Sequence, residues 1–202
     1  MVFNNDMKGN KHIAWLFGLM VLFTAMRWPG LLPWNFSPVY AICFCAGLYF
    51  KGVRSWLVPV ALILVSDVVM NYFHWRPQGF SILNGYMLAN YMLYLGLAAL
   101  GMAITSKRSS AMLIAGGTLG ACGFFFASNL MAWLANPVYA KTWAGLVQSF
   151  TVGQLGFPPP IVFLKNTALS GALFTAIIVH AVCYVHVREK RLEKQFQLKT
   201  ES

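Results

Sequence analysis

The chain has 202 residues, 58% of them hydrophobic and only 10% charged, with a mean hydropathy of +0.62, whereas soluble domains carry about a quarter of their residues as charges. That excludes an ordinary soluble domain and leaves room for one compact membrane domain. Fifteen Lys and Arg against five Asp and Glu give a formal +10, but the basic residues stand in ones and twos between apolar runs rather than in the stripe that nucleic-acid binding requires.

A bilayer core of about 30 Å needs roughly 20 helical residues to cross it. After an N-terminal segment, residues 1–11, six stretches approach that length: 12–28, 36–51, 53–73, 80–104, 110–134 and 167–187. The first follows Lys8 and Lys11 but ends in Arg27-Trp28-Pro29-Gly30 without a small-residue cleavage pattern, so it reads as a retained helix rather than a signal peptide. The second is the shortest, and the basic turn Lys51-Gly52-Val53-Arg54 joins it to the third.

Between the fifth and sixth stretches, residues 135–166 open on Asn136-Pro137 and close on Pro158-Pro159-Pro160 around a moderately apolar run containing Tyr139, Trp143, Leu146 and Phe150. Prolines remove backbone donors and clash with the preceding turn. The segment is therefore expected to form an amphipathic or re-entrant helix and a rigid turn, not a seventh crossing. Residues 188–202 form a basic tail that continues the helical composition of the last span.

The expected architecture is an all-α integral membrane protein, a six-helix transmembrane bundle over residues 12–187. With the N-terminus in the cytoplasm, Lys8, Lys11, Lys51, Arg54, Lys107, Arg108, Arg188, Lys190, Arg191, Lys194 and Lys199 all fall inside, while Arg27, Arg76, Lys141 and Lys165 fall outside. The division satisfies the positive-inside rule at every cytoplasmic turn. Both termini are then cytoplasmic, and anionic lipid headgroups, rather than nucleic acid, are the expected neighbours of the basic turns.

Asp67 is the only acidic residue inside an expected span, and an intramembrane carboxylate is costly unless paired, protonated or hydrated. Asn71 lies four residues on and shares its helix face, with Arg76 at the outer end. Asn90 and Tyr91 in the fourth span, Asn129 and Trp133 in the fifth, and Arg27 at the end of the first fall toward the same leaflet. Such a gathering suggests a cavity with aromatic walls and a few polar groups to orient a small solute. A buried ion pair or helix-to-helix hydrogen bonds that merely hold the bundle together would use the same residues.

Small residues mark close helix approach: Ala14 and Gly18 in the first span, Cys43 and Gly47 in the second, and Gly116, Gly117, Gly120, Ala121 and Gly123 in the fifth. The four cysteines sit in apolar stretches with no Cys-x-x-Cys pair and read as packing residues. No His-Glu-x-x-His motif, phosphate loop or nucleophile elbow is present. The expectation is a protein that is not an enzyme, holds no intrinsic cofactor and binds no metal.

Asn35-Phe-Ser-Pro-Val-Tyr-Ala, Pro59 with Ser66-Asp67, Phe124-Phe-Phe-Ala-Ser-Asn129-Leu-Met-Ala-Trp133 and Thr142-Trp-Ala-Gly-Leu-Val-Gln together resemble a family of uncharacterised bacterial membrane proteins similar to the substrate-binding S components of energy-coupling-factor (ECF) transporters. The resemblance covers about residues 25–180. It implies a bacterial inner-membrane protein that captures a vitamin, precursor or other micronutrient at its outer side and joins a transmembrane coupling subunit carrying two ATPases, so that ATP acts only through those partners. The family pattern tends to carry an acidic residue near the start of the last helix, where this chain has Leu169-Ser170-Gly171. On these expectations Asp67, Asn71, Asn90 and Asn129 orient the solute, Arg27 or Arg76 supplies charge at the mouth and Trp133 supplies a wall. The alternative is a structural or accessory subunit of a larger membrane protein complex.

Overall fold

A computed structural model describes residues 10–104, 106 and 108–200, so Lys8 and Lys107 of the charge division lie outside the described residues. The described residues form seven α-helices and no strand: α1 (Asn10–Ala25), α2 (Val39–Tyr49), α3 (Arg54–Met70), α4 (Gly85–Ala103), α5 (Ser110–Ala135), α6 (Trp143–Phe150) and α7 (Pro160–Thr200). A π-helical turn, Asn71–Trp75, and a 3-10 turn, Arg76–Gln78, extend α3. Four helices are long and apolar enough to cross a membrane: α3 with its extension, α4, α5 and α7. Two more, α1 and α2, are apolar but shorter.

The centre of the molecule is α2. All eleven of its residues are buried, and it packs against α1, α3, α4, α5 and α7. At about 1.5 Å per residue it is only about 16 Å long, well short of the hydrocarbon thickness. An unbroken apolar run, read from sequence as a membrane span, is equally what a helix needs when protein surrounds it on every side.

The backbone approaches that seat α2 are closed by glycine. A Cβ on Gly101 would collide with the Phe44 carbonyl, and one on Gly47 with the Ala98 carbonyl, so α2 and α4 cross with their main chains in contact. On the other side, a Cβ on Gly171 would come within 2.6 Å of the Ala121 Cβ, and one on Gly117 would run into Thr175, which brings α5 and α7 together. A Cβ on Gly18 or Gly123 would meet nothing within 4 Å. Those two glycines of the small-residue pattern therefore face open space rather than a close helix approach.

Around α2 the outer helices are apolar on both their buried and their exposed faces. In α1, Leu16, Met20 and Phe23 recur at helical spacing and are buried, whereas Trp15 and Leu22 are exposed. Leu57 and Val65 on α3, Leu88 and Met92 on α4, and Leu119 and Phe126 on α5 also stand exposed. Apolar surface on this scale fits hydrocarbon rather than water.

Helix ends shift relative to the hydropathy ranges for local reasons. Residues 80–84 are not helical. Instead Asn84 caps α4, its Oδ1 accepting the N–H groups of Tyr86 at 3.0 Å and Met87 at 3.3 Å. The last helix opens seven residues earlier than the 167–187 range, at Pro160, since proline is favoured in the first turn, where its missing N–H is not needed. It then runs 41 residues, about 60 Å, carrying the basic tail on one continuous helix. Between the end of α5 at Ala135 and the start of α7 at Pro160, the helical part is the eight-residue α6.

Candidate solute-binding site

Chain direction alternates so that the C-terminal ends of α1, α3 and α5 and the N-terminal ends of α2, α4 and α7 meet at one end of the bundle. Arg27 follows α1 there. Its Nη2 donates to Asp67 Oδ1 at 2.6 Å, and its Nη1 donates to the Ile63 carbonyl at 3.2 Å and to Ser66 Oγ. Tyr91 Oη of α4 donates to the other Asp67 oxygen, Oδ2, at 2.9 Å. The Arg27 and Asp67 side chains are only 11% and 8% exposed. A carboxylate and a guanidinium are stable at such depth only when paired and hydrogen-bonded. The same contacts tie α1, α3 and α4 together.

In front of this cluster opens a cavity of about 860 Å³. Arg27, Asn90 and Asn129 line it, with His74, Gln78, Ser128 and a group of aromatic side chains that includes Trp28, Trp34, Tyr40, Tyr94 and Phe124. Tyr94 and Phe124 lie parallel, 3° apart with centroids at 5.2 Å, and Tyr40 leans on Phe124 at 5.0 Å. The loop between α1 and α2 forms much of the remaining wall. Gly30 at φ +88° and Asn35 at φ +58° make its reversals, the backbone region that glycine and, less readily, asparagine tolerate. Asn166 Nδ2 of α7 anchors this loop by donating to the Trp34 carbonyl at 2.8 Å. Tyr86 Oη donates to the Ser128 carbonyl at 3.0 Å and, with Ala132, stands between this cavity and an adjoining groove of about 800 Å³ beside the ends of α4 and α5.

The residues singled out from sequence fall into three groups. Arg27, Asn90 and Asn129 line the cavity; Asn129 Nδ2 is bonded to the Phe125 carbonyl at 2.9 Å, which leaves Oδ1 as its remaining acceptor. Asp67 sits behind Arg27 and reaches the cavity only through it. The other three lie off the lining. Asn71 turns its Oδ1 to the N–H of Ile82 at 2.9 Å and the hydroxyl of Ser81 at 3.2 Å, bracing the return from α3 to α4. Trp133 donates from Nε1 to the Ala140 carbonyl at 2.9 Å, and Lys141 Nζ closes the end of α5 by donating to the carbonyls of Asn136, at 2.8 Å, and Trp133. Arg76 is exposed on the 3-10 turn.

Sequence reasoning did not assign His74, Gln78, Tyr40, Tyr94 or the loop around Trp34 to the site. The π-helical turn that presents His74 and Trp75 carries no composition signal, although the Pro-Gly-aromatic run Trp28 to Asn35 was a visible mark of an ordered loop. Among the described residues no cluster of three His, Cys, Asp or Glu side chains is placed to hold a metal ion.

No curated protein and no solved structure is similar enough to the chain to count as a match. The pattern of a family of unknown function, DUF6580, matches residues 7–194. With nearly its whole length covered, the chain belongs to that family.

Proposed function

We propose that this protein is a membrane-embedded binding subunit for a small solute, a vitamin, precursor or other micronutrient, delivered to an uptake system whose coupling subunit and two ATPases are separate chains. The observation that carries the reading is the cavity of about 860 Å³, the size of a small-molecule site, with polar groups spaced among aromatic walls. Several residues behind the resemblance to ECF S components converge on it: Asn35, Phe36, Ser37, Tyr40, Phe124, Ser128 and Asn129.

In this reading α1, α2, α3, α4, α5 and α7 make six crossings. The short α2 is tolerated because neighbouring helices, not lipid, surround its ends. Arg27, Arg76, Lys141 and Lys165 belong to the cavity end, whereas Lys51, Arg54, Arg108 and the tail of α7 belong to the other. The positive-inside rule then makes the cavity end external and both termini cytoplasmic in a bacterial inner membrane. The protein performs no covalent chemistry, and α6 with its flanking turns covers the outer face beside the cavity.

Native mass spectrometry of the gently purified complex tests this. A retained small molecule together with coupling and ATPase subunits is the expected result, and Asp67→Asn, which frees Arg27 from its anchor, is expected to release the small molecule. The second reading, a structural subunit of a larger membrane complex, draws on the Arg27–Asp67–Tyr91 tie, which a fixed scaffold would also use. An invariant complex with lipid or nothing in the cavity would favour it.

A further inference from the structure

We infer that the cavity selects a monoanionic solute with a flat aromatic or heteroaromatic body, and that the Arg27 guanidinium is the receptor for its carboxylate. The inference rests on the solute-binding reading and specifies its substrate class. A guanidinium carries five N–H donors. Nη1 is engaged by Ile63 and Ser66 and one N–H of Nη2 by Asp67, which leaves Nε–H and the second Nη2–H without a protein acceptor among the described residues. Arg27 is also the one Lys or Arg residue that lines the cavity among the described residues, which makes its two uncommitted donors the candidate cationic hydrogen-bonding groups for a solute there. The three contacts hold the side chain in place before any solute arrives, which lowers the ordering penalty of binding.

The charge on offer is limited. No acidic side chain lines the cavity among the described residues. Asp67 lies behind the guanidinium and has both oxygens occupied, by Arg27 and by Tyr91. His74, another lining residue, is engaged at 3.3 Å by Gln78 and packs edge-on against Trp28 and Trp75. One partly balanced guanidinium with two free N–H groups suits a carboxylate, which accepts two parallel bonds, better than a phosphate dianion. The rest of the wall sets the body of the solute. Tyr94, Phe124 and Tyr40 pack on one another and all three line the cavity, an aromatic wall that favours an aromatic body, which stacks or packs edge-on against such rings. Asn90 and the Oδ1 of Asn129 supply amide groups for ring heteroatoms.

The test is equilibrium binding to the full chain in lipid nanodiscs, with empty nanodiscs as the blank. The probes are radiolabelled naphthoate and quinoline carboxylate, each competed by its uncharged primary amide and by oleate. Each carboxylate is expected to bind at least about tenfold more tightly than its amide, the scale of a hydrogen bond to a charged group. Arg27→Lys keeps the charge but loses the fork and is expected to narrow that preference. Arg27→Gln combined with Asp67→Asn leaves no bare charge behind and is expected to abolish the preference without unfolding the bundle. Equal binding of acid and amide, or a preference that survives in the double variant, overturns the role of Arg27 while leaving the solute-binding reading standing. Tighter binding of oleate than of either aromatic acid overturns the aromatic body and assigns the site to a lipid carboxylate. If no probe binds and native mass spectrometry finds no retained small molecule, both the inference and the reading beneath it fail.

Discussion

Asp67 is the residue on which the cavity end of the bundle depends. It is nearly closed from solvent and holds Arg27 through one oxygen and Tyr91 through the other. Removing one member of a buried ion pair leaves the other charge without compensation, a loss of about 3–5 kcal/mol, whereas removing both leaves little to penalise. Asp67→Ala is therefore expected to lower the midpoint of thermal unfolding in detergent strongly. The double substitution Arg27→Gln with Asp67→Asn should be clearly milder than Asp67→Ala, and a double variant as unstable as Asp67→Ala would contradict the pairing. Tyr91→Phe removes a single hydrogen bond to a charged group, worth about 1.5 kcal/mol, and should fall between wild type and Asp67→Ala.

At the level of elements, the crossing of α2 and α4 is set by two glycines rather than by interdigitating side chains. A methyl group at Gly101 meets the backbone of α2, and one at Gly47 meets the backbone of α4, so neither neighbour can turn aside. Gly101→Ala is expected to destabilise by about 1–3 kcal/mol through overpacking and to shift the α4 residues that carry Asn90, Tyr91 and Tyr94. Gly123→Ala, where the added methyl meets nothing within 4 Å, should instead be neutral or stabilising by up to about 1 kcal/mol, because glycine is a poor helix former. Thermal melts of the two variants in the same detergent compare them directly. The π-helical turn after α3 matters at this level too. It carries His74 and Trp75 to the cavity wall, and Gly79 at φ +81° then ends the extension.

For the whole molecule the decisive pattern is the contrast between its two ends. One end holds the cavity, the aromatic loops and four of the basic residues, while the other holds Lys51, Arg54, Arg108 and the basic C-terminal turns of α7. In a background lacking the four native cysteines, Arg76→Cys is expected to react with a membrane-impermeant maleimide in intact cells, and Lys190→Cys only after permeabilisation. The opposite labelling would invert the orientation and place the cavity in the cytoplasm.

The membrane character, the helical class and the bundle's polar end were legible in the chain itself, because hydropathy and charge bias are properties of local composition. Asp67 stood out for the same reason: a lone carboxylate in an apolar run must find a partner. Its partner was not legible, since Arg27 lies forty positions away and nothing local distinguishes a cation that pairs inward from one that stays exposed like Arg76. The same limit applies to the amides. Asn71 and Asn129 look alike in sequence, yet one braces a turn and the other lines the cavity. Hydropathy likewise reads α2 as one span among six, since burial in protein and burial in lipid select the same side chains. Composition by itself determined which segments are apolar enough to leave water, and only the tertiary structure decided which of their faces are buried in the core, which stay exposed and which polar groups face the cavity, because those outcomes depend on neighbours that the chain brings together from a distance.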